Sequence, residues 1–178
     1  MPAEGSARSA GPDGDGVALR PVTAADDAFL FAVYASTRAE ELAGTGWSAA
    51  QRKIFLQSQF ELRRAHYARV FPAARRWLVL RHGNPIGTLQ VDRTAEEIRV
   101  VDIAFLPAHR GRGLGSRLLR GLCEEARAAD KPLRLHVLKA DRAAHLYTRL
   151  GFAPTGENGP YLKLEWRARS DAPAADGA

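Results

Sequence analysis

A single cysteine in 178 residues, Cys123, has no partner in the chain, which excludes an intramolecular disulfide framework and any multi-cysteine metal site. It falls at the edge of an apolar helical face, where a buried thiol is expected rather than a nucleophile. No apolar run reaches 18 residues and no signal-peptide core follows the first methionine, so neither a membrane span nor secretion is expected and a cytoplasmic protein is. Lysine and arginine outnumber the acids, 26 to 20, yet no block of five or six like charges occurs. Neither an aromatic–basic platform nor a recognition-helix pattern is present, so nucleic acid is not an expected partner.

What the chain does have is unevenly distributed. Residues 1–16 and 168–178 are small, polar and rich in Gly, Pro and Ala, and are expected to be disordered tails flanking one domain over 17–167. The tails carry −2 and −1 while the whole chain is +6, which leaves +9 on residues 17–167. A core so basic suits an anionic partner, for which nucleic acid, anionic lipid and a polyphosphate cofactor qualify on charge alone.

Local patterns order the domain. VALRPV (17–22) reads as a strand, and Thr23 with Asp26 caps a helix expected over roughly 24–39. Ser48 with Gln51 is a capping-box pair for a second helix to about Val70. Three β-rich runs come next, joined by the short turns 82–85 and 94–96, which imply an antiparallel meander. Residues 113–129 form a helix with Leu114, Leu118, Leu122 and Ala126 on one stripe; 133–139 is a strand, 143–150 a helix ended by Gly151, and 161–166 a last strand. The strand–helix–strand crossover demands one parallel pair, so the fold class is α+β, a mixed and mostly antiparallel sheet with helices on both faces.

The densest signal is HRGRGLGSRLL (109–119), three glycines and three arginines where a strand gives way to a helix. Unpaired amides at a helix N-terminus bind anions, and glycine lets a phosphate approach bare backbone. A dinucleotide loop fails because its third glycine falls on Ser116 or Leu118, and a P-loop fails because its second glycine falls on Ser116. What fits is R-x-x-G-x-G, filled by Arg110, Gly113 and Gly115.

That loop resembles the acyl-CoA loop of the GCN5-related N-acetyltransferases (GNAT). DRAAHLYTRLGF (141–152) is similar to the same family's N-x-x-A-x-x-L-Y-x-x-x-G-F helix, and DIAFLPAHRGRG (102–113) to its strand leading into the loop. The resemblance implies a GNAT-like sheet and an N-acyltransferase, most simply one that moves acetyl from acetyl-CoA to a primary amine by direct attack in a ternary complex, without a metal. It implies CoA contacts from Arg110, Gly111, Arg112, Gly113, Leu114, Gly115 and Ser116 at the pyrophosphate and from Ile103, Ala104 and Phe105 along the pantetheine arm. Tyr147 would lie beside the sulfur as its proton donor, and Asp141, standing where the family has asparagine, would accept rather than donate. Acyl-CoA and an amine acceptor, a small molecule or a protein amine, are the implied partners, with a homodimer as one assembly open to the chain.

One departure bears on mechanism. The family's usual glutamate base falls on Arg99. A base matters because an alkylamine with pKa about 10.4 is about one part in 2,500 neutral at pH 7, a penalty of roughly 4.6 kcal/mol, against about 1.4 kcal/mol for an α-amine of pKa about 8. Glu97 shares the face of Arg99 by alternation, whereas Asp102 is on the opposite face unless a bulge intervenes; these two, or a water relay, are the candidate bases. Gln51, Phe55, Gln59, Leu62 and His66 would line an acceptor pocket from the second helix, while Trp47 and Tyr34 read as packing residues. The other functional reading is a non-catalytic CoA-binding regulatory module of the same fold.

Overall fold

His82 and Gly83 both take positive φ, 48° and 79°, the backbone that a two-residue hairpin turn requires. They join β2 (Arg75–Arg81) to β3 (Asn84–Arg93). A second turn, closed by Thr94 N–H to Glu97 O at 2.9 Å, joins β3 to β4 (Ile98–Phe105). With β1 (Val17–Pro21) along β2, these strands make the expected antiparallel meander. The structure, a computed structural model, describes residues 16–139 and 144–168. The expected tails and Asp141 fall almost wholly or wholly outside the described residues.

Between β1 and β2 lie a 3₁₀ turn (Ala24–Asp26), α1 (Asp27–Ala43) and α2 (Ala49–Val70). Asp26 accepts from the Thr23 amide at 2.7 Å, and Ser48 and Gln51 exchange bonds of 2.8 and 3.2 Å, so both caps form where expected. The first helix starts later than expected because its capped turn is 3₁₀. After β4 come α3 (Leu114–Ala128), β5 (Leu133–Leu138), α4 (Ala144–Arg149), β6 (Ala153–Asn158) and β7 (Tyr161–Trp166). The seven strands lie in the order β1-β2-β3-β4-β5-β7-β6, antiparallel except for β4 with β5. β6 is one strand more than the sequence patterns suggest: all six of its residues are exposed, and it pairs only with β7.

Each face of the sheet has its own core. On one, α3 buries Leu114, Leu118, Leu119, Leu122, Cys123 and Ala126 against Val91, Ile98, Val100, Leu133 and Leu135, and Tyr147 and Phe152 join them. On the other, Leu30 and Tyr34 of α1 meet Phe60 of α2 and Leu78 of β2. Among the described residues no helix is long and apolar enough to cross a membrane.

Two irregularities of β4 decide which side chains reach which face. Its parallel pairing with β5 stops after Ile98–Leu133, Arg99–Arg134 and Val100–Leu135, so the strands part beyond Val100 while β4 keeps β3 as partner to Phe105. Opposite β3, Gln90 pairs with Asp102 and Val91 with Val100, leaving Val101 as an extra residue. Such a bulge reverses the alternation beyond it. Ile98 and Val100, then Ile103 and Phe105, therefore pack on the α3 side, while Asp102 and Ala104 join the α1 side. The bulge needed to bring Asp102 to this face is present.

Candidate active site

The glycine loop is built by backbone. After β4 a 3₁₀ turn (Pro107–His109) leads to Gly111 and Gly113 at φ 70° and 76°, a region L side chains adopt only with strain. A Cβ at either position would meet nothing within 4 Å, so the space above them is open. Arg117 donates the first helical bond, to Gly113 O at 3.0 Å. The amides of Leu114, Gly115 and Ser116 precede it and have no acceptor within the helix, so they present donors at the positive end of the α3 dipole. Arg112 is exposed at the rim. Arg110 differs from the rest of the loop: its amide bonds Pro107 O at 3.2 Å, and its guanidinium bonds Phe105 O and Ser36 Oγ, both at 2.8 Å. It braces the end of β4 against α1 and takes up the Phe105 carbonyl.

The opening between β4 and β5 runs from this loop towards the last parallel pair. Around that apex lie the charged residues of the α1-side face. Glu97 is largely enclosed, with Arg99 Nε on one oxygen and Arg134 Nη1 on the other, each at 2.6 Å. Burial works to raise its pKa, but the two guanidinium bonds prevail and hold it below the ordinary glutamate range. A carboxylate so bound is a weak base. Arg134 also bonds Glu165 at 2.6 Å, extending the network to β7. Next to it is a cleft of about 220 Å³ lined by Arg99, Arg134, His136, Thr155, Lys163 and Glu165.

Asp102, brought to this face by the bulge, pairs with Arg63 of α2. The Arg63 guanidinium is held between aromatic rings, 5.4 Å from the centre of Tyr34 and 5.1 Å from that of Tyr67. Burial raises the Tyr67 pKa, and the nearby Asp102 and Tyr161 add to the rise. Arg63, Tyr67, His136 and Tyr161 carry no recognised motif and are missed by sequence reasoning. His136 was nonetheless legible, since alternation on β5 sets it two residues from Arg134 on the face shared with Arg99.

Two expectations are corrected here. On α2, Gln51, Phe55, Leu62 and His66 point to solvent and Gln59 is half-buried, so this row does not wall the opening. The face turned to the sheet carries Phe60, Arg63 and Tyr67 instead. On α4, the four-residue spacing of Leu146 and Leu150 predicts that they take the core and that Tyr147 sits offset from it. Tyr147 is the buried one, 7% exposed and edge-on to Phe152 with ring centres 5.7 Å apart, while the leucines are partly buried. Trp47 stacks edge-on against Phe55 at 5.2 Å and Tyr34 is in the core, so both are packing residues as expected. Cys123 is also buried, its thiol pushed up to about 11 by burial, and supplies no nucleophile.

A strand that leaves its parallel neighbour, a left-handed glycine pair and an amide-bearing helix start form one device, and the sequence comparison agrees with it. The acetyltransferase (GNAT) family model matches residues 35–152. This chain belongs to the GNAT acetyltransferase family. No curated protein sequence matches it. Among solved structures, this GNAT chain is similar to the PaiA N-acetyltransferase of Thermoplasma acidophilum in complex with coenzyme A, with 14% identity, coverage of 85% and 99% of the two chains and a TM-score of 0.64. An acetyltransferase of Thermus thermophilus shows 22% identity, 85% and 97% coverage and a TM-score of 0.60. A GNAT acetyltransferase of Elizabethkingia anophelis with acetyl-CoA bound shows 16%, 86% and 99%, and 0.57. At these identities the likeness is one of fold, and the GNAT assignment rests on the family match.

Proposed function

We propose that this protein is an N-acetyltransferase that moves acetyl from acetyl-CoA to a primary amine in a ternary complex, with residues 17–167 as the catalytic unit. The observation that carries this reading is the opening between β4 and β5, which connects the glycine loop to the charged cleft at Arg99 and His136. The open space over Gly111 and Gly113 fits a pyrophosphate, which would be held by the amides from Gly111 to Ser116, with Arg112 at its rim. Arg110 supports the loop from behind. Ile103 and Ala104 flank the pantetheine arm through backbone, as an added strand would pair. β4 amides then polarise the thioester carbonyl.

Tyr147 acts as the proton donor to the departing sulfur. A phenol of pKa about 10 keeps its proton at pH 7, and a thiol of about 8.5 can take it. Asp102 is tied to Arg63 and Glu97 to two arginines, so each stabilises the cleft more than it serves as base. The clamp on Glu97 is also what favours the second reading, a CoA-binding module without turnover. Thiol release across a panel of α-amines, alkylamines, polyamines and lysyl peptides, beside acetyl-CoA calorimetry, separates the two. Binding with turnover is the expected result; binding alone selects the module, and no binding defeats both.

A further inference from the structure

We infer that His136 is the base that takes the acceptor's proton, an assignment that rests on the acetyltransferase reading above. β5 loses its parallel partner after Leu135, which makes His136 the first β5 residue beside the opening, while antiparallel pairing with Lys163 of β7 holds it in place. Its ring shares the face of Arg99, whose Nη1 is 3.5 Å from Nε2. It lines the 220 Å³ cleft at the apex, at the far end of the β4–β5 opening from the glycine loop.

The charged groups around the ring are Arg99 from β4, Glu97 from the turn before it, Arg134 from its own strand, and Lys163 and Glu165 from β7. Glu97 is held by Arg99 and Arg134, and Glu165 by Arg134 and Arg167, so neither carboxylate is bonded to the ring. Burial first, then Arg99 and Lys163, depress its pKa, and Glu97 offsets this in part. The imidazole is therefore neutral at pH 7; the Arg99 guanidinium, which can only donate, faces the Nε2 lone pair at 3.5 Å, so the acceptor's nitrogen reaches that lone pair by displacing this long contact. No rival base is as well placed among the described residues: Asp102 pairs with Arg63 and Cys123 is buried in the core of the other face.

The proton balance closes. An ammonium acceptor gives one proton to His136, and the freed nitrogen bonds to the thioester carbon as the carbon–sulfur bond breaks. Tyr147 protonates the departing sulfur, the nitrogen's second proton passes through water to the tyrosinate so formed, and the imidazolium returns its proton to water. An amide, a thiol and one released proton remain.

NMR of the histidine rings, assigned by the signal lost in His136→Gln, tests the placement without knowledge of the acceptor. The His136 ring should titrate below pH ~6.5. Its resonances should move when acetyl-CoA is added and stay when 3′,5′-ADP fills the loop alone. Arg99→Gln should raise the ring's pKa, because a nearby cation is removed. On the fastest amine of the panel, His136→Gln should lower kcat about 10²-fold and abolish the acidic limb of the pH profile, with the acetyl-CoA Kd within a few-fold of wild type. Ring resonances that ignore acetyl-CoA bound by calorimetry, or a mutant with the wild-type pH profile, overturn the inference and leave the acetyltransferase reading standing. A folded protein that gives no heat with acetyl-CoA, or turns over no amine, defeats that reading and takes this one with it.

Discussion

The two ends of the β4–β5 opening are made from different materials. The loop end is backbone: two left-handed glycines, a helix start and amides that point outward. The apex is side chains brought from four elements and a turn, with Arg63 from α2, Glu97 from the turn before β4, Arg99 and Asp102 from β4, His136 from β5 and Lys163 and Glu165 from β7. Backbone sites depend on few residue identities and read out as a contiguous motif. Side-chain sites depend on register, and a one-residue slip rearranges them. The loop end should thus fail at one position and fail completely, whereas the apex should fail in graded steps.

Gly113→Val gives the largest effect. At φ 76° a β-branched residue is strained, and its methyls enter the open space above the loop. Acetyl-CoA binding should fall more than about 100-fold, roughly 2.7 kcal/mol, while a thermal melt still shows a folded protein. Micromolar binding by the folded mutant would show that the loop does not hold the phosphates.

Tyr147→Phe tests whether α4 belongs to the chemistry or only to the core. The ring's packing on Phe152 is retained, so acetyl-CoA affinity should stay within a few-fold. Turnover should drop roughly 10²-fold, the low end for a lost general acid. A kcat near wild type would return Tyr147 to the core.

Asp102→Asn comes next. It leaves Arg63 between two tyrosines without its carboxylate, which should cost about 1–2 kcal/mol and lower Tm by about 5 °C. The double-mutant cycle with Arg63→Met should show coupling of at least about 0.5 kcal/mol. Additive losses would mean the pair does not tie α2 to the bulge.

The smallest effect belongs to Glu97→Gln. Turnover at pH 7 should change less than about three-fold, because a carboxylate bound by two arginines is not the base. Its depressed folded pKa makes its contribution to stability present above the unfolded value, about 4.3, and lost as pH falls through the folded value. Between pH 7 and pH 3 the mutant should therefore lose less stability than wild type in urea titrations. A deep loss of neutral-pH activity that recovers at high pH would reinstate Glu97 as base.

Legibility in the sequence divides along the same line. Caps, turns, the stripe of α3 and the crossover could be read because each is set by neighbours in sequence. β6 could not: Pro154 and Gly156 interrupt it, every residue is exposed, and only its pairing with β7 makes it a strand. The sheet-facing side of α2 was misread for a different reason. The strands beneath it carry Arg76, Thr88, Gln90 and Asp102, so the helix meets them with Arg63 and Tyr67, while Ile54 and Leu62 remain 68% and 61% exposed. Apolar periodicity finds the buried face only where the opposing surface is apolar too.

Val101 is, in effect, a parity bit. Were that residue paired in regular register instead of bulged, Asp102 would turn to the α3 core and Ile103 to the cleft, leaving a carboxylate among leucines and an isoleucine beside Arg63. With the bulge, one strand serves two surfaces whose alternation is out of step, and the change of phase falls beside the last parallel pair. Sliding the insertion by one position would exchange which side chains the opening sees without altering a single residue type. In a sheet of this kind, phase as well as residue identity decides what the opening presents.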